Sequence, residues 1–149
     1  MGNNGKLIGD ITTFAGFNGD DGLYFNDGFI QLDGMTFKGK PTEDVTIATW
    51  VKLKDINGPN VHELFSTSAS SVKGPQKGQY HFEVLSQGKV RFFQRNNGKA
   101  VYGLLTKPVV REDEWVHLAG TYDSKTNKAT IFVNGEPVVD YLQSDKQVS

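Results

Sequence analysis

A chain of 149 residues has the size of one domain and buries about two-thirds of its unfolded surface, enough for a core without covalent staples. No apolar run approaches the roughly 20 residues that span a bilayer, there are no cysteines, and the net charge of −1 lacks the positive excess that duplex binding draws on. These features set aside membrane insertion, disulfides, thiolate-zinc sites, cysteine nucleophiles and nucleic acid as a partner.

One domain over 1–149 is the expectation, with 1–6 a flexible lead. Met1-Gly2-Asn3-Asn4-Gly5 has neither the basic start nor the apolar stretch of a signal peptide, so any export signal is expected outside this sequence. Charge is unevenly placed. Leu7 to Met35 holds the acids Asp10, Asp20, Asp21, Asp27 and Asp33 without one Lys or Arg, whereas Val72 to Arg111 holds eight cations against the single acid Glu83. The two ends of the domain are suited to different partners.

Apolar residues recur with period two in short segments separated by Gly, Asn, Asp and Pro, the pattern of antiparallel strands. Gly22 to Leu32 reads as two short strands folded about Asn26-Asp27-Gly28, because Asp-Gly tolerates the positive φ of a tight hairpin. Val45, Ile47, Thr49, Val51 and Leu53 share one face of the next strand, with Trp50 on the other. A loop at Asn57-Gly58-Pro59-Asn60 precedes a strand over Val61–Thr67, and Ser68–Gly78 reads as a mobile surface loop. A three-strand meander follows. Tyr80, Phe82 and Val84 alternate with Gln79, His81 and Glu83; turns at Ser86–Lys89 and Asn96–Lys99 flank the strand Val90–Arg95; Ala100–Leu105 closes the unit. About ten such strands imply two packed sheets.

The stretch Glu114-Trp115-Val116-His117-Leu118-Ala119-Gly120-Thr121-Tyr122-Asp123, a five-residue loop, and Ala129-Thr130-Ile131-Phe132-Val133-Asn134-Gly135 then form a hairpin. Its Trp-x-His-x-Ala start, Tyr-Asp end and Val-Asn-Gly turn resemble the paired strands of the laminin-G-like jelly-roll family, within the concanavalin A-like lectin/glucanase superfamily. Gly22–Asn26 with Phe29-Ile30, and Thr46–Val51, resemble two further strands of that family. The resemblance covers roughly Gly16 to Val138. It implies an all-β, two-sheet antiparallel jelly-roll β-sandwich, lacking the family's last strand, whose place would be beside the strand holding Trp50. A truncated sequence, the segment Lys6–Phe17 or a second chain each accounts for that slot. The aromatic residues of the hairpin are explained by packing, so a binding site is sought elsewhere.

Catalytic motifs are absent from the sequence: no Glu-x-Asp-x-Glu pair, nucleophile elbow, phosphate loop or dinucleotide fingerprint, and His62, His81 and His117 lack metal-ligand spacing. Glu112-Asp113-Glu114 reads as a solvated loop, and Glu112 and Glu114 are the carboxylates a hydrolase reading would test first. Calcium takes six to eight oxygens from Asp, Asn and carbonyls, which makes Asn18, Asp20 and Asp21, with Asp27 and Asp123, the candidate ligands of a structural ion; a polar Gly-rich turn is the competing reading of the first three. Arg91, Phe93 and Arg95 share one strand face and, with Asn96 and Asn97, form the candidate site for an acidic glycan. The competing reading is a charged, solvated face.

The expectation is a non-catalytic recognition or adhesion module, extracellular or at the cell surface, binding a carbohydrate or protein ligand. The alternative is an assembly domain completed by a strand from a partner chain or by homodimerisation. A glycan hydrolase ranks third.

Overall fold

The computed structural model describes residues 5–32, 44–58, 61–67, 79–96 and 99–142. No α-helix occurs among them, and the chain divides into two units, 1–39 and 40–149.

The first unit is one antiparallel pair, β1 (Lys6–Ala15) and β2 (Asp21–Gln31). The expected turn at Asn26-Asp27-Gly28 is not formed. β2 runs straight through it, with Asp27 opposite Asp10 and Phe25 opposite Ile11, leaving Asn26 as the extra residue of a bulge. Gly28 serves close approach instead: it faces Gly9, and a Cβ on Gly28 would meet the Asp10 amide nitrogen at 3.3 Å. The chain actually reverses at the 3-10 turn Phe17–Gly19, where Asn18 (φ 55°) and Gly19 (φ 82°) take the left-handed conformation and the Gly16 amide donates to the Asp20 carbonyl at 2.6 Å.

The second unit is the sandwich. One sheet has the order β10 (Glu136–Leu142), β9 (Lys128–Val133), β8 (Val116–Asp123), β3 (Val45–Val51). The other runs β4 (His62–Ser66), β5 (Gln79–Leu85), β6 (Lys89–Asn96), β7 (Lys99–Pro108). All pairings between these strands are antiparallel. This is the two-sheet jelly-roll sandwich that the sequence implies. Val45, Ile47, Thr49 and Val51 turn inward and Trp50 outward, as alternation requires. β8 and β9 make the expected hairpin, reversing through Ser124–Asn127 with Asn127 at φ 53°. Among the described residues β3 has β8 as its sole sheet neighbour, so its other side is an edge. The reading of Ser68–Gly78 lies outside the described residues.

The core lies between the sheets. Phe82, Val84, Val90, Phe92, Leu118, Ala129 and Ile131 are fully buried, and Phe82 meets Phe92 edge-on at 5.5 Å. Gly120 sets how near the sheets come, because a Cβ there would sit 2.9 Å from the Phe92 ring. The meander β5–β6–β7 thus presents one face to this core and the other outward.

Candidate functional site

β6 lies inside its sheet, paired to β5 and β7 along its length. The period of two sends Val90, Phe92 and Gln94 into the core and Arg91, Phe93 and Arg95 outward. The register then builds two rows across the outer face: Glu63, Glu83, Arg91 and Leu105 in one; Ser66, His81, Phe93 and Gly103 in the other. The structure therefore brings Arg91, Phe93 and Arg95 onto one surface. Asn96 pairs with Lys99 at the end of the β6–β7 ladder, and Asn97 lies outside the described residues.

The face contains more charge chemistry than its arginines. Glu83 is 2% exposed although it sits on the outward side. The Arg91 Nε donates to Glu83 Oε1 at 2.5 Å and gives the buried carboxylate its charge partner. Glu63 stands directly across from Glu83, a repulsive pairing on adjacent strands. It is turned to His81, whose Nδ1 lies 3.0 Å from Glu63 Oε1. The His81 ring in turn stacks on Phe93 at 4.6 Å with 6° between planes. The guanidinium carbons of Arg91 and Arg95 each lie 5.2 Å from the Phe93 centroid. Arg95 is exposed and is not engaged by any carboxylate among the described residues.

Glu63, His81 and Glu83 offer donor atoms within 4.8 Å of one another, an arrangement that can hold a metal ion among the described residues. Arg91 already occupies Glu83 Oε1 there. None of these three was a sequence candidate. A signal existed, since Glu83 is the single acid of the cationic stretch and lies as far before the Ser86–Gly88 turn as Arg91 lies after it.

The five candidate calcium ligands belong to different elements. Asn18 and Asp20 belong to the turn that joins β1 to β2, and Asp21 opens β2 opposite Ala15. Asp27 stands opposite Asp10, six residues further along the strand and so roughly 20 Å from Asp21. Asp123 belongs to the sandwich unit, where its Oδ1 accepts from the amides of Lys125 at 2.8 Å and Thr126 at 3.3 Å. Those bonds, the Lys125 amide first, hold its carboxyl below the usual aspartate value. Of the two hydrolase carboxylates, Glu112 Oε1 accepts from the Ile56 amide and from Asn57 Nδ2, fastening a loop, and Glu114 lies 3.9 Å from Arg111.

Beneath the outer face lies a polar seam. Gln94 Nε2 donates to the Tyr80 hydroxyl at 3.2 Å, and Tyr102, the register partner of Gln94, stacks on Tyr122 at 4.6 Å. Desolvation, with a smaller contribution from Tyr122, pushes the Tyr80 phenol up to about 12, and burial drives Tyr102 higher still.

A sequence model of the Laminin_G_3 family, described as the concanavalin A-like lectin/glucanases superfamily, matches residues 17–144. Among solved structures, the chain is similar to the CBM40 of the Ruminococcus gnavus IT-sialidase bound to α2,3-sialyllactose: 25% identity and TM-score 0.57 over 68% of this chain and 54% of that one. A second structure of that CBM40 gives 26% identity and TM-score 0.58 over 70% of this chain and 56% of that one. The chain thus spans about half the length of those modules. No curated protein matches it.

Proposed function

The chain belongs to the concanavalin A-like lectin/glucanase superfamily, and we propose that it is a non-catalytic carbohydrate-binding module whose ligand is an acidic glycan held on the outer face of β4–β5–β6–β7. The observation that carries this reading is the convergence of Arg91 and Arg95 on Phe93, on an outward sheet face. A guanidinium gives a carboxylate two parallel hydrogen bonds, and an aromatic ring beside it gives a sugar an apolar surface. The likeness to a CBM40 solved with α2,3-sialyllactose supports the same ligand class.

The two arginines have different tasks. Arg91 is occupied by the buried Glu83, whereas Arg95 faces Gln79 and Ala100 across its neighbours and meets no acid there. Arg95 is the group that reads the acidic function, and Arg91 holds the platform. Calorimetric titration with α2,3-sialyllactose and with lactose tests this: sialyllactose binds, more weakly as salt rises, and lactose binds at least about tenfold more weakly. Equal affinity for the two sugars, or binding of neither, contradicts the reading.

A second reading, assembly through strand addition, is favoured by the edge of β3. It predicts dimers by light scattering, or a sheet extended by an added strand peptide; a monomer that ignores such peptides excludes it.

A further inference from the structure

The outward side of β4 and β5 holds a charge arrangement that a solvated sheet surface avoids. Glu63 and Glu83 are register partners on adjacent strands, a like-charge pairing that costs stability. The Glu83 side chain is 3% exposed, so solvent screens the repulsion poorly. Among the described residues Arg91 supplies the positive charge, at Glu83 Oε1, and no hydrogen bond reaches Oε2. With a neutral His81, two carboxylates share one guanidinium, and the cluster has a charge of its own to fill.

His81 adds a different kind of donor. It lies two residues before Glu83 on the same face of β5, and its Nδ1 is 3.0 Å from Glu63 Oε1. Ligands of one ion stand at that separation, since metal bonds of about 2.0–2.1 Å meeting at tetrahedral or octahedral angles set their atoms about 2.9–3.4 Å apart. One donor atom from each of Glu63, His81 and Glu83 lies within 4.8 Å of the other two. The existing geometry also leaves room to close the gap. Stacking on Phe93 fixes the plane of the imidazole, whereas the Glu63 side chain is half exposed on β4, the outer strand of its sheet, and is free to change rotamer. A register shift follows Glu63 directly, leaving Leu64 as the extra residue of a bulge, an irregularity that re-aims the side chains beside it.

We infer that Glu63, His81 and Glu83 form a binding site for a divalent transition-metal ion, with Zn2+ as its probe. One imidazole nitrogen and two carboxylate oxygens suit that class of ion, whereas Ca2+ and Mg2+ take oxygen ligands. Three protein ligands leave the fourth tetrahedral position to water. Glu83 bridges two cations, Arg91 on Oε1 and the metal on Oε2, and the ion ties the outer strand β4 to β5. The site stands whether or not the same face binds a sugar.

The test is calorimetric titration of the wild type, Glu63→Gln and His81→Ala with Zn2+ and with Ca2+, the fold of each variant being checked by metal-free thermal unfolding. The wild type is expected to bind one Zn2+ per chain, and Ca2+ at least about a hundredfold more weakly. Zn2+ at about a hundred times its dissociation constant raises the thermal midpoint by about 5 °C or more. Each variant loses about tenfold or more in Zn2+ affinity. No binding by the wild type at about 1 mM Zn2+ overturns the site. Undiminished affinity in either folded variant does so too, because the ion then sits on other donors such as His62 or His117. Ca2+ held as tightly as Zn2+ contradicts the assigned class of ion. Should His81→Ala fail to fold, the imidazole 15N resonances of the wild type decide: His81 Nδ1 shifts on adding Zn2+, and an unmoved His81 overturns the site.

Discussion

The two faces of β5 and β6 are built from the same alternating sequence, yet they use it in opposite ways. Inward, Phe82, Val84, Val90 and Phe92 form a dry, apolar contact with the opposing sheet. Outward, Glu83, Arg91, His81, Phe93 and Arg95 form a surface where charges are paired, stacked or left available. The inner face is interchangeable with many cores of equal volume. The outer face is not, because a solvated sheet surface needs neither a buried carboxylate nor rings stacked in parallel.

Substitutions separate the faces. Phe92→Ala is expected to cost about 3–5 kcal/mol in denaturant unfolding, since it opens a cavity against Phe82, Tyr102 and Gly120. Arg91→Ala comes next at about 2–3 kcal/mol, because it strands the Glu83 carboxylate, while the partial exposure of Arg91 itself keeps the loss below that of a fully buried pair. Glu112→Gln weakens the fastening of Ile56 and Asn57 and costs about 1 kcal/mol. Arg95→Ala changes stability by about 0.5 kcal/mol or less, yet it removes the preference for sialyllactose over lactose. If Arg91 and Arg95 behave alike in both assays, the division of tasks between them is wrong.

Alkaline pH probes the seam between the faces. The Tyr80 phenol is raised from 10.0 to about 12 in the fold, so its neutral form is favoured in the native state. The stability it contributes is complete below pH about 10 and is lost as pH rises toward about 12. Tyr80→Phe should therefore move the alkaline unfolding midpoint upward, followed by circular dichroism; an unchanged midpoint would mean that another group governs alkaline unfolding.

Much of this was legible in the sequence because period two is a strong signal when one face is buried. The alternation at Val45–Val51 and Tyr80–Val84, and the Glu114–Gly135 hairpin, state their faces directly. Asn26-Asp27-Gly28 misled because a bulge and a turn ask for the same residues, and only the pairing with β1 distinguishes them. For the site, the row Arg91, Phe93, Arg95 is a within-strand pattern and could be read from spacing alone. Glu63, His81 and Gly103 enter through cross-strand register, which depends on turn lengths and on the shifts at Glu63/Phe65 and Gln94/Arg95. Those shifts leave no mark that one sequence reveals.

On the proposed reading, the outer face of β6 and β7 binds an acidic sugar. Amide chemical-shift mapping during titration with α2,3-sialyllactose tests it most directly. Saturable shifts centred on Phe93, Arg95 and Gly103 are expected, absent with lactose at equal concentration. Shifts centred instead on the Asn18–Asp21 turn or on β3, or no shifts at all, would contradict it.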